Sequence, residues 1–156
     1  MNFQTFIATT GEELARAALA PNGEWSVEFL LSDEGVCCLA ADPLNPNIIY
    51  AGTRQKGVLR SDNLGLTWHA GGLDGQWVKS LAVNPHDSNI IYAGTKPALM
   101  FVSYDGGNSW AELDGFRRIP NRWWWFSPAE PPDFRPYVNA IAPSPTVRRR
   151  DWPRPR

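Results

Sequence analysis

An all-β fold built from β-propeller blades is predicted by three features of the sequence: an internal repeat, a turn motif that recurs in its register, and a composition heavy in turn-forming and aromatic residues. The segment Leu39–Thr53 reappears 42 residues later as Leu81–Thr95, with 10 of 15 positions identical. Self-similarity with a period of about 40–45 residues marks units of four strands arranged around a common axis. The 14 Pro, 13 Gly and 8 Trp suit short strands, many turns and large packed side chains better than they suit helices.

The elements follow from that ruler. Residues 1–35 read as a degenerate blade: Phe6-Ile7-Ala8-Thr9-Thr10 falls 43 residues before Ile49-Tyr50-Ala51-Gly52-Thr53, and Trp25 falls 43 before Trp68. Helix propensity alone favours a short helix over Glu12–Ala20, but repeat register is the stronger evidence and predicts strand. Residues 36–77 parse into four strands, Val36–Ala41, Ile48–Gly52, Val58–Ser61 and Leu66–His69, with a Pro/Asn turn after the first. Residues 78–116 repeat the scheme with Ser80–Val83, Ile90–Ala93, Leu99–Val102 and Ser109–Glu112. The next innermost strand, Val138-Asn139-Ala140-Ile141-Ala142-Pro143-Ser144-Pro145, matches Val78–Pro85 at a spacing of 60 instead of 42, so about 18 residues are inserted. The insertion occupies residues 117–136, residues 137–146 are the first strand of an incomplete blade, and residues 147–156 form a basic, disordered tail. With too few blades to close, the chain is expected to be an open fan that self-associates through its open blade edge.

The recurring turn reads Ser61-Asp62-Asn63-Leu64-Gly65-Leu66-Thr67-Trp68 and, 42 residues on, Ser103-Tyr104-Asp105-Gly106-Gly107-Asn108-Ser109-Trp110. A side-chain Asx acceptor, a glycine able to adopt positive φ, hydroxyls within reach of the loop backbone and a packed Trp make a self-contained turn. This motif resembles the Asp-box, or BNR repeat, of sialidases, sortilin-type receptors, xyloglucan-degrading glycosidases and related propellers. The resemblance implies a structural role on the outer rim for Ser61, Asn63, Gly65, Thr67, Trp68, Ser103, Asp105, Gly107, Ser109 and Trp110, away from any catalytic face.

Functional chemistry is therefore expected on the opposite face, where the loops after the second and fourth strands gather Arg54-Gln55-Lys56, Asp74–Trp77, Lys96 and the insertion. The insertion holds four Arg, five aromatics and two carboxylates in twenty residues. Arg118, Arg122, Trp123, Trp124, Trp125 and Arg135 are the candidate ligand-binding residues. They form either a platform for a glycan or protein ligand or a plug that covers the next blade. Glycoside hydrolysis needs two carboxylates flanking the scissile bond, and Glu130, Asp133 and Asp74 are the candidates. Arg118-Ile119-Pro120 is similar to a sialidase arginine motif, but it follows the two turn motifs where the sialidase motif precedes them, which reads as coincidence. Two readings stay open: a non-catalytic glycan- or protein-binding module cut from a larger propeller, and a fragment of a glycoside hydrolase whose isolated chain is inactive.

Other classes find no support. A net charge of −1 gives no reason to expect a nucleic acid or a membrane as partner. His69 and His86 do not recur with the repeat, Cys37 and Cys38 are adjacent, and no metal or cofactor motif is present, so neither is expected. The adjacent cysteines read as small hydrophobes. Without a basic segment leading into an apolar one near Met1, and without an apolar run long enough to span a bilayer, the chain reads as cytoplasmic.

Overall fold

The computed structural model describes residues 4–121, 124–127 and 132–144. Three antiparallel sheets follow one another along the chain. The first has the strand order β1 (Thr5–Thr9), β2 (Leu14–Leu19), β3 (Trp25–Leu30). The second is β4 (Cys38–Ala41), β5 (Ile49–Gly52), β6 (Val58–Ser61), β7 (His69–Ala70). The third is β8 (Trp77–Asn84), β9 (Asp87–Lys96), β10 (Met100–Ser103), β11 (Ala111–Glu112), followed by the one-turn helix α1 (Asp114–Arg117). Each sheet is a plain meander, as a repeat without room for crossovers requires. No helix of the described residues is long and apolar enough to cross a membrane.

Glu12–Ala20 contains strand, not helix: its alternation places Leu14 and Arg16 on one face and Ala15 and Ala17 on the other, and pairing with β1 and β3 overrides propensity. The first sheet has three strands among the described residues. Trp25 does not pack as Trp68 does; it is half exposed at the start of β3. The fourth strands are shorter than the alternation suggests. Leu66-Thr67-Trp68 and Ser109-Trp110 belong to the turns, and pairing resumes only at His69 and Ala111. The reason is local: Thr67 and Ser109 donate their backbone N–H groups to the Asx side chains of their own turns, and so cannot enter the ladder.

Two hydrophobic layers lie between the sheets. Leu14 and Ile7 of the first sheet meet Ala51, Leu59 and Trp68 of the second. Tyr50, Val58 and Cys38 of the second meet Leu81, Val83, Ile91, Ala93 and Trp110 of the third. Cross-strand register therefore gives every sheet a forward face toward its successor and a backward face toward its predecessor. Burial pushes the Cys38 thiol up to about 12, so it is an inert core group, and both cysteines are free.

The turns lock these boundaries. In the third sheet, Ser103 Oγ accepts from the Gly107 N–H at 2.9 Å, and Asp105 accepts from the Ser109 N–H at 2.8 Å and the Ser109 hydroxyl at 2.5 Å. In the second, Ser61 and Asn63 make the same bonds to Gly65 and Thr67, at 2.9 Å each. Trp110 then reaches back and donates from Nε1 to the Gly71 carbonyl of the second sheet at 2.7 Å. In return, Tyr50 and Arg60 donate to the Gly106 carbonyl at 3.2 and 2.8 Å. Arg16 does the same one boundary earlier, donating to the Leu64 carbonyl at 3.0 Å.

The two turns differ in one chemical respect. Hydrogen bonds from Ser109 hold the Asp105 carboxyl below its usual range, whereas Asn63 carries no proton equilibrium in that range. A depressed native pKa stabilises the fold at pH values above the unfolded value of about 3.9 and loses that contribution as pH falls through the native value. The variant Asp105→Asn is therefore expected to melt with a shallower loss of Tm between about pH 5 and pH 2 than the parent protein. Thermal melts in a pH series check this, and parallel curves for the two proteins would refute it.

Candidate functional site

At the end of the sheets opposite these turns, the start of each inner strand meets the end of its predecessor's second strand. The Val78 N–H donates to the Thr53 carbonyl at 2.9 Å, and the Val138 N–H donates to the Thr95 carbonyl at 3.2 Å. The residue before each valine is aromatic and the residue after each threonine is cationic, so the repeat brings them face to face. Arg54 lies 4.7 Å from the Trp77 ring, Lys96 lies 4.9 Å from Trp77 and 5.8 Å from Tyr137, and Lys79 lies 4.7 Å from Trp77 and 4.9 Å from Tyr137. Cations over ring faces at these distances are attracted by the ring quadrupole. Trp77 also donates from Nε1 to Cys37 Sγ at 3.2 Å.

The insertion folds against this ladder. Lys96, whose side chain is fully buried, donates to the Asp133 carbonyl at 2.9 Å and lies 3.7 Å from its carboxylate. The Ala98 N–H donates to the Pro136 carbonyl and the Ser127 N–H to the Phe134 carbonyl. Phe126 stacks on Phe134 with ring centroids 5.2 Å apart, and Phe116 meets Trp125 edge to face at 6.0 Å. These contacts frame an open cleft of about 720 Å³, walled by Pro97, Ala98, Arg117, Ile119, Asn121, Trp125, Phe134, Arg135 and Pro136. A second, of about 450 Å³, shares Trp125 and Pro136 and continues past Phe126 to Tyr137 and Asn139.

Both cleft arginines have their forks occupied. Arg117 donates from Nε and Nη2 to the two carboxylate oxygens of Glu112 at 2.8 and 2.9 Å. Arg135 does the same to Asp133 at 2.9 and 2.8 Å. Such bidentate pairs use the guanidinium edge that would otherwise take a ligand carboxylate or phosphate. Asp133 is held well below the usual carboxylate range, first by the Arg135 hydrogen bond and then, in part, by Lys96. It is consequently unsuited to act as a general acid.

Of the residues singled out in the sequence, Trp125 and Arg135 line the cleft. Trp124 is 70% exposed, and neither it nor Arg118 lines either cleft. Asp133 serves Arg135 and Lys96, and Asp74 is exposed in the loop before β8. Glu130, Arg122, Trp123 and the tail from 147 to 156 lie outside the described residues. Sequence reasoning passed over Arg117, Ile119, Asn121, Phe134 and the Pro97-Ala98 step. The Trp77/Tyr137 correspondence was available from the same spacing of 60 that located Val138. Among the described residues, no group of His, Cys, Asp and Glu is arranged to hold a metal ion.

No protein-family model matches the chain, and no curated protein matches it in sequence. Among solved structures it is similar to the GH74 xyloglucanase from Xanthomonas campestris, with a TM-score of 0.52 and 20% identity over 71% of this chain and 21% of that one. It is also similar to YCF48, solved bound to a D1 peptide, with a TM-score of 0.55 and 13% identity over 72% of this chain and 38% of that one. The chain thus spans about a fifth of the first protein and well under half of the second. Both are β-propeller proteins, and identities this low speak for the fold alone: the chain has the all-β fold of a partial β-propeller.

Proposed function

We propose that this chain is a non-catalytic binding module of the Asp-box type, a piece of a larger propeller in which Val138–Ser144 begins the next blade. Its cleft takes a neutral glycan. The observation that carries this reading is the double neutralisation of the cleft: Arg117 and Arg135 are forked to Glu112 and Asp133, so the walls offer aromatic planes beside saturated charge pairs. Such a surface suits the apolar face of a sugar ring, with hydroxyls bonding the outer edges of the ion pairs, better than it suits an anion. A solved relative in fold being a xyloglucanase makes xyloglucan oligosaccharides the first probe. YCF48, solved with a peptide bound, favours a second reading in which an uncharged peptide segment lies along the two clefts.

Titration calorimetry with xyloglucan oligosaccharides and with uncharged, proline-containing peptides separates the two. Trp125→Ala is expected to weaken binding at least tenfold, a loss of about 1.4 kcal/mol, without lowering Tm by more than a few degrees. A large fall in Tm would instead make the insertion a plug on the next blade. Hydrolysis of any glycoside by the chain, abolished by Glu130→Gln or Asp133→Asn, would overturn the non-catalytic reading in favour of a glycoside hydrolase fragment.

A further inference from the structure

The two ion pairs at the cleft are held in place by different means. Glu112, which forks Arg117, belongs to β11 and is fixed by the sheet. Asp133, which forks Arg135, lies outside any strand or helix. The Arg135 side chain is 61% exposed, and an exposed pair of this kind contributes too little to keep a guanidinium in one place by itself. Asp133 is anchored from beneath instead. Lys96 Nζ donates to its carbonyl at 2.9 Å and lies 3.7 Å from Oδ2, while Oδ1 accepts from the Arg135 backbone N–H at 3.1 Å. The Lys96 side chain is fully buried, over the rings of Trp77 and Tyr137. An ammonium cut off from water has to keep its partners, so its place is well defined. The repeat supplies that place: Arg54, 42 residues earlier, stands over the same Trp77 ring at 4.7 Å, but it is exposed.

We propose that Lys96 is the positioning residue of the cleft, an inference that rests on the cleft being the binding site: through Asp133 it sets the place of Arg135, and with it the wall on which a ligand lies. Lys96 lines neither cleft, so it acts without touching the ligand. Asp133 takes up Nε and Nη2 of Arg135, which leaves Nη1 as a donor for a sugar hydroxyl, and its direction follows from where Lys96 holds Asp133. The insertion thus takes its geometry at this wall from a cation that belongs to the blade.

Titration calorimetry of the full chain and its variants with xyloglucan oligosaccharides tests this. Lys96→Met keeps the length of the side chain and removes its charge. An apolar chain in place of a buried cation is tolerated, so the far-UV spectrum is expected to stay unchanged. Binding is expected to weaken about fivefold or more, and to weaken likewise in Arg135→Gln. The double variant is expected to bind no more weakly than the weaker single one, because both changes break one chain of contacts. Losses that multiply in the double variant overturn the assignment, as does a Lys96→Met protein that binds like the parent. Lys96→Arg, a residue the repeat already carries at position 54, is expected to restore binding to within about twofold of the parent; a loss as large as that of Lys96→Met overturns the assignment too. Hydrogen exchange reads the positioning without ligand. The Ala98 and Ser127 amides, whose acceptors are the Pro136 and Phe134 carbonyls beside Asp133, are expected to exchange faster in Lys96→Met while β5 keeps its protection. Should the parent bind no oligosaccharide, the glycan reading falls alone and exchange still decides on Lys96: faster exchange at the two amides supports its role, and unchanged exchange refutes it.

Discussion

Trp110→Ala is expected to cost about 3 kcal/mol or more of stability, a large part of the 5–15 kcal/mol typical of a domain. The indole is half-buried in the layer between the second and third sheets, and its N–H serves the Gly71 carbonyl at 2.7 Å and the Gly107 carbonyl at 3.2 Å. Truncation removes the packing, opens a cavity and leaves the Gly71 carbonyl without that donor. Trp110→Phe keeps most of the ring and loses only the N–H, so it should cost about 1 kcal/mol. Denaturant melts measure both, and hydrogen exchange adds the decisive readout: in Trp110→Ala, amides of β5 and β6 are expected to lose protection along with those of β10. Equal costs for the two variants would show that packing of the indole matters less than its hydrogen bond.

Gly52→Val is the second large effect. Gly52 ends β5 on the forward face of its sheet, and a Cβ there would lie 2.7 Å from Val78 Cγ1 and 3.0 Å from the Val78 carbonyl oxygen, with Cys38 Sγ closer still. The carbonyl belongs to the strand that starts the next sheet, so relief requires the second and third sheets to part. Overpacking of this kind costs about 1–3 kcal/mol for smaller intrusions, and a β-branched side chain against backbone lies at or above the top of that range. Gly115→Ala serves as the control, since a Cβ there meets nothing within 4 Å and alanine favours α1. Urea melts of the three proteins should place Gly52→Val far below the parent and Gly115→Ala level with it or above. If Gly52→Val melts with the parent, the sheets are not in close contact at this point.

How much of this was readable from sequence depends on whether the determinant lies inside the repeat. The meanders and the Asx-based turns were legible because each recurs at a fixed offset and is enforced by local backbone chemistry, whereas residues 137–144, expected as the first strand of a further blade, pair through Val138 with Thr95 but form no strand. Strand ends were less so. Thr67 and Ser109 fall inside the strands that the repeat suggests, yet their N–H groups are used within the turn. The cleft was legible only as a composition. Its walls depend on which arginine finds which carboxylate, and Glu112 pairs with Arg117 across α1, whereas Arg135 folds back on Asp133 two residues away. Nothing periodic distinguishes these from Arg118 or Trp124, which the chain leaves outside the cleft. The repeat predicted an open end to the fan but not the residues that carry it: Phe6, Val27 and Phe29 alternate like ordinary core residues, and only their exposure in the folded chain tells them apart.

The bonds that join the sheets also have a direction. Each boundary is completed by side chains of the earlier sheet, Arg16 or Tyr50 and Arg60, reaching into a turn that belongs to the later one; at the second boundary Trp110 of that turn also reaches back to Gly71, whereas Trp68 at the first donates to Gly65 of its own turn. An earlier sheet thus borrows its finish from the residues that follow it, while the later sheet keeps its own turn self-bonded through Ser103 and Asp105. Loss of a turn consequently removes bonds from the sheet before it as well as from its own, and a chain emerging in order of synthesis leaves Arg16, Tyr50 and Arg60 without these acceptors until the following turn has been made.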